Sequence, residues 1–148
     1  MMPTSILQTL NIMTKSIFSI FKLSIDAIKM AKKNKLTPAW VDQRMQQWAQ
    51  LIIGYTRAKW QVINPYHVCP KHGHPTIIMC NHASLYDIPF SYLAFPNQRI
   101  RMLAKKELSK IPFFGKAMQK AGFPFIDRHN RHKAIEDMHK LRELLAQD

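Results

Sequence analysis

Thr76-Ile77-Ile78-Met79-Cys80-Asn81-His82-Ala83-Ser84-Leu85-Tyr86-Asp87-Ile88-Pro89 is the stretch that decides how this chain is read. Residues 76–79 form a short apolar run rich in β-branched side chains, the pattern of a buried strand, and they deliver Cys80, Asn81 and His82 into the turn that follows. His82 and Asp87 are five positions apart. At about 100° per residue a regular helix would put them on different faces, so they meet only across a turn. Ser84 suits an N-cap and Pro89 is tolerated in a first helical turn, which places His82 in the loop and Asp87 at the start of a helix. There a carboxylate can accept the proton of one imidazole nitrogen and fix the tautomer, leaving the other nitrogen to take a proton from an alcohol. Two plainer readings stand beside this one. Asp87 can serve only as a helix cap, alone or in a Ser84-x-x-Asp87 box, and His82 can be an ordinary loop histidine.

Outward from this stretch, strand patterns alternate with helix patterns. Residues 58–63 read as a strand ended by Asn64-Pro65, and 65–75 is a loop dense in turn residues. After a helix at 87–93 and a turn at Phe95-Pro96-Asn97, residues 99–103 read as a strand. A helical piece begins at 105–110, is interrupted at Pro112-Phe113-Phe114-Gly115, and resumes to Gly122 before a strand at 123–126. A last helix runs from Arg131, with Ile135, Met138, Leu141 and Leu145 as its apolar stripe. The expectation is an α/β fold with a mostly parallel sheet and flanking helices, its active groups gathered at strand ends.

Two helices precede the sheet. Residues 5–36 carry Ile6, Leu10, Met13, Ile17, Ile20, Phe21, Ile25 and Ile28 at helical spacing, with six lysines set against Asp26. No apolar run reaches the ~18 residues of a spanning helix, and charge follows the apolar residues instead of preceding them as in a signal peptide. This basic amphipathic pattern fits an interfacial membrane anchor, in which each lysine near an anionic leaflet adds about 1 kcal/mol, or a helix packed on the domain's own core. Thr37-Pro38 then starts a second helix with Val41, Met45, Trp48, Leu51, Ile52 and Tyr55 on its apolar side. The expected organisation is a membrane-associating segment at 1–36 and one domain at 37–148.

The totals limit the partners. Twenty-two Lys and Arg against nine Asp and Glu leave +13, which points to a polyanionic surface, either an acidic membrane or nucleic acid. No helix-turn-helix, zinc-finger or aromatic RNA-binding signature accompanies that charge. A hydrophobic share of 47% excludes a disordered basic tail, and Cys69 and Cys80 are too few for a secreted disulfide scaffold, so a reducing, cytosol-facing location is expected. Cys69, His72, His74, Cys80 and His82 match no standard zinc spacing, and no metal is expected.

Asn81-His82-Ala83-Ser84-Leu85-Tyr86-Asp87 resembles the N-H-x4-D signature of the glycerolipid acyltransferases, a family that includes the 1-acyl-sn-glycerol-3-phosphate acyltransferases. Leu103-Ala104-Lys105-Lys106-Glu107-Leu108 with Ile111-Pro112-Phe113-Phe114-Gly115 looks like that family's second block, and Gly122-Phe123-Pro124-Phe125-Ile126-Asp127-Arg128 like the element that closes it. The resemblance covers residues 58 to 128 or so. It implies transfer of a fatty acyl group from acyl-CoA or acyl-carrier protein to the free hydroxyl of lysophosphatidic acid, by direct attack, without an acyl-enzyme, cofactor or metal. His82 and Asp87 are then the catalytic base and its orienting carboxylate. Arg128 is assigned to the acceptor's phosphate, since a guanidinium offers two parallel donors, or it pairs with Asp127 on the surface. Asn81 is assigned to substrate binding with the motif. Ser84 orients the motif or caps the helix, and Lys105 and Lys106 steer phosphate or form a solvated face. The implied setting is the cytoplasmic face of a membrane, held peripherally or by the N-terminus. The family's later Pro-Glu-Gly-Thr-Arg block does not occur, so the sheet is expected to be incomplete at its C-terminal side and the chain to be a truncated, poorly stable acyltransferase.

Overall fold

A computed structural model describes residues 5–71, 74 and 76–145. Ser5 opens helix α1 (Ile6–Lys32) with a capping box: its hydroxyl accepts the Gln8 N–H while the Gln8 side chain accepts the Ser5 N–H, each at 3.2 Å. Helix α2 (Pro38–Thr56) starts where Thr37-Pro38 predicts, with the Thr37 hydroxyl accepting the Trp40 N–H at 3.2 Å. There follow α3 (Asp87–Ala94), β1 (Ala104–Lys105), a 3₁₀ turn (Lys106–Lys110), α4 (Phe114–Lys120), β2 (Phe125–Ile126) and α5 (Arg131–Leu145). The two strands pair in parallel, Ala104 opposite Phe125 and Lys105 opposite Ile126, so the fold is α/β with helices around a small open sheet.

Helix α2 packs on α3, and α1 lies across α2 and α4. Val41, Ala49, Ile52 and Ile53 of α2 are buried with Tyr92 of α3, Ala104, Ala117 and Phe123. Gln46 ties α2 to the end of α3 by donating to the Tyr92 carbonyl at 2.8 Å. The Tyr92 hydroxyl donates to the Ile100 carbonyl, and burial pushes its pKa up. Gly122, at φ 78°, ends α4 with the paired bonds of a Schellman turn: its own N–H reaches the Gln119 carbonyl and the Phe123 N–H the Met118 carbonyl. After that turn Phe123 is buried, with the Arg101 guanidinium 5.6 Å from its ring centre.

An ion pair fixes α2 to the strand approach. The Arg101 guanidinium meets the Asp42 carboxylate at 2.5 Å and donates to the Ala121 and Ile100 carbonyls, with Arg101 and Asp42 only 17% and 24% exposed. Asp42→Asn leaves a half-buried guanidinium short of its counter-ion. The expected cost is about 1 to 3 kcal/mol of stability, read from denaturant unfolding.

Several expected strands are absent or shorter. Residues 58–63 and 76–79 are irregular, and Ile77 and Met79 are 72% and 90% exposed, where a buried strand was expected. The strand expected at 99–103 is reduced to Ala104–Lys105, one step later, and that at 123–126 to Phe125–Ile126. A β-branched run becomes a strand only when a neighbour supplies its hydrogen bonds. Among the described residues no strand lies beside 58–63 or 76–79.

Helix α1 is divided along its length. Ile6, Leu10, Met13 and Ile17 are more than half exposed, whereas Ser24 and Ala27, further along the same stripe, are buried. Phe21 meets Phe113 edge-on at 5.5 Å between ring centres. The second half therefore packs on the domain while the first presents apolar side chains outward. Among the described residues, no helix is long and apolar enough to cross a membrane.

Candidate active site

The turn before α3 is built around a single carboxylate oxygen. Oδ2 of Asp87 accepts the N–H of Ala83 at 2.8 Å and that of Ser84 at 2.7 Å, and lies 3.0 Å from His82 Nδ1. The Asp87 N–H in turn bonds the Ser84 carbonyl, so residues 82–87 close on themselves without help from a sheet. With Asp87 ionised, the proton of the ring sits on Nδ1 and Nε2 is left as the acceptor. This brings together the two residues that the helical spacing would have kept apart.

Ser84 is not the N-cap. Tyr86 occupies that position with no side-chain cap bond, and the Ser84 hydroxyl accepts the Tyr86 N–H instead. Half of the expected capping box survives, the Ser84 N–H on the Asp87 carboxylate. Asp87 is better used facing backward, where three donors converge on it, than capping forward.

The Ser84 N–H, with the His82 ring and the Ala83 N–H adding to it, holds the Asp87 carboxyl below its ordinary value of 3.8. A lowered folded-state pKa means these bonds contribute fully above 3.8 and are lost as pH falls through the lower folded value. The Ala83 and Ser84 amide resonances are expected to titrate together with a midpoint below 3.8. A midpoint at or above that value shows that the turn is not held by this carboxylate.

His82 is 56% exposed and stands at the opening of a cavity of about 360 Å³. The walls are apolar: Ile20, Leu23 and Ala27 from α1, Met45 and Trp48 from α2, Ile88, and Phe114, Ala117 and Met118 from α4. The charged side chains on it are Arg44, Lys105 and Arg128, all cations. Such a space suits a hydrocarbon chain whose polar end stays near the imidazole.

The other sequence candidates divide. Arg128 lines the cavity, and its expected alternative partner Asp127 is taken by Lys106 at 3.1 Å. That ion pair, with the His129 N–H, holds the Asp127 carboxyl below its ordinary range. Lys106 is thereby turned away from phosphate steering, while Lys105 faces the cavity. Asn81 is exposed and, like Ser84, is not among the residues lining it. Cys69 and Cys80 are free and exposed, and His72 lies outside the described residues. Among the described residues no three His, Cys, Asp or Glu side chains gather where a metal ion could sit.

The motif reading missed the wall supplied by α1 and α2, including Arg44. Trp40, Arg44 and Trp48 recur at four-residue spacing, which places them on one helix face. That spacing was the available signal.

The site is thus a histidine–aspartate pair ahead of a helix, on an α/β frame, beside an apolar cavity that three cationic side chains also line. Residues 59–148, more than half of the chain, match the family described as Acyltransferase, and the chain belongs to that family. It is similar to the 1-acyl-sn-glycerol-3-phosphate acyltransferase of Helicobacter pylori, 36% identical over 72 residues that make up 49% of this chain and 30% of that protein. The chain thus spans less than a third of that relative's length in the matched region. No solved structure matches it.

Proposed function

We propose that the chain carries the base-bearing part of a glycerolipid acyltransferase, which moves a fatty acyl group from acyl-CoA or acyl-carrier protein to the free hydroxyl of lysophosphatidic acid and yields phosphatidic acid. The observation that carries this is the 3.0 Å contact between His82 Nδ1 and Asp87 at the mouth of the apolar cavity. His82 Nε2 takes the acceptor's hydroxyl proton as its oxygen attacks the thioester carbonyl carbon. The tetrahedral intermediate then expels the thiolate, which recovers the proton from the imidazolium. Asp87 keeps Nε2 as the acceptor and stabilises the transient cation. Lys105 and Arg128 hold the acceptor's phosphate, and the apolar walls take its chain or the donor's. No cofactor is required by these steps.

The surroundings support a membrane site. The outward stripe of Ile6, Leu10, Met13 and Ile17 with the nearby lysines is suited to lie in an anionic leaflet, on the cytoplasmic face, with His82 opening toward the lipid. Vesicles containing anionic phospholipid are expected to pellet the protein, and Ile17→Glu to reduce that binding at least fivefold. Competition by an oligonucleotide would favour a nucleic-acid partner instead.

One observation favours a second reading, a lipid-binding remnant without turnover. Among the described residues the sheet has two strands of two residues each, and residues 76–81 leading to His82 have no ladder to brace them. Mixing the protein with acyl-CoA and lysophosphatidic acid, and following thiol release together with phosphatidic acid, separates the two. Equal release of thiol and product supports acyl transfer, binding of both lipids without release supports the remnant, and thiol release with no acylated lipid refutes both.

A further inference from the structure

Arg44 stands on α2, ahead of the family-matched residues, and lines the same cavity as His82, Lys105 and Arg128. We propose that Arg44 is a third phosphate-binding group of this site, gripping the phosphate of an acyl ligand whose chain fills the cavity. This rests on the acyl-transfer reading above.

The charge around the cavity comes first. Among the described residues Arg44, Lys105 and Arg128 line it and no carboxylate does. Like charges around one opening repel, and an anionic ligand relieves that repulsion. The neighbouring cations that have structural tasks are visibly spent, Lys106 on Asp127 and Arg101 on Asp42. Arg44 is not. Its Nη1 donates to the neutral Gln47 side chain at 3.2 Å, and its guanidinium lies 5.4 Å from the centre of the Trp40 ring.

That geometry leaves donors over. A guanidinium has five N–H groups, of which Gln47 takes one, and those remaining can make a planar, paired grip on phosphate oxygens. The contacts with Gln47 and Trp40 also restrict the side chain beforehand, so less freedom is lost when a ligand binds. A phosphate monoester carries about 1.5 to 2 negative charges at neutral pH, enough to answer more than one cation. Two ligands of the reaction carry both phosphate and an acyl chain: the acceptor, as a monoester close to its chain, and the donor, at the far end of its pantetheine arm.

The test is equilibrium titration of short-chain ligands below their micelle concentrations, in two pairs. The first pair is lysophosphatidic acid and the corresponding monoacylglycerol, and the second is acyl-CoA and acyl-pantetheine. The unmodified protein is expected to prefer the phosphorylated member of at least one pair by about tenfold or more. Arg44→Gln should cut that preference by about three- to tenfold with the affinity for the unphosphorylated member unmoved, and Arg44→Lys should lie between, keeping the charge without the paired donors. A loss in the first pair assigns the acceptor's phosphate, and a loss in the second assigns the donor's. Binding of these ligands with both preferences unmoved by Arg44→Gln, or with no preference in the unmodified protein, overturns the role of Arg44 alone. Failure of all four ligands to bind overturns it together with the acyl-transfer reading.

Discussion

Acyl transfer by the His82→Ala protein is expected to fall by about 10² to 10⁴, the worth of a positioned base, while lysophosphatidic acid still binds. The ring touches the protein through Asp87 and is 56% exposed, so its removal leaves the apolar walls and cationic rim in place. Asp87→Asn is the companion change. It keeps the size of the side chain and an oxygen for the Ala83 and Ser84 N–H groups, but it loses the charge that holds the proton on Nδ1. Turnover should drop here too, with a smaller fall in Tm than for Asp87→Ala, which removes the acceptor oxygen and releases the turn altogether. Undiminished turnover in His82→Ala would remove the base from the mechanism, and the family resemblance could not restore it.

Gly115→Ala is expected to be the most damaging alanine substitution among the described glycines. The added Cβ would lie 2.8 Å from the Ser109 Cα and closer still to the Ser109 carbonyl, all backbone atoms that cannot swing aside. The approach is forced by the turn before α4, where Phe113 has φ 62° and ψ −50° and the Phe114 N–H bonds the Pro112 carbonyl at 2.7 Å. A three-residue turn of this hand is rare and strained, so it has little room to yield. The cost should reach at least the upper part of the roughly 1 to 3 kcal/mol typical of overpacking, a fall in Tm of about 6 °C or more. Gly54→Ala is the control. It meets nothing within 4 Å inside α2, where alanine is the better helix former by about 0.5 to 1 kcal/mol. Equal shifts for the two variants would mean that the Ser109 contact is not what constrains Gly115.

The contact between His82 and Asp87 was legible because it is local. His82 and Asp87 lie within one turn, the spacing excludes a helix between them, and the donors that complete the arrangement are the backbone groups of Ala83 and Ser84 in between. The start of α2 was legible for the same reason: Thr37 and Pro38 satisfy its first turn from adjacent positions. The role of Ser84 was misjudged because two side chains compete for the same few N–H groups, and spacing does not say which takes them. Strand lengths were misjudged because a strand is a relation between two segments. Residues 76–79 have the composition of a strand and no neighbour among the described residues to make them one.

The sequence by itself determined the helices, the turn that joins an imidazole to a carboxylate, and the excess of positive charge, since each follows from residues within a turn or two or from a simple sum. Only the tertiary structure decided that α1 and α2 wall an apolar cavity beside that turn, that Lys106 is occupied by Asp127 while Lys105 and Arg128 face the cavity, and that Arg44 joins them. These are meetings between segments tens of residues apart. They depend on how the helices cross and on which charges find partners first, and packing settles both.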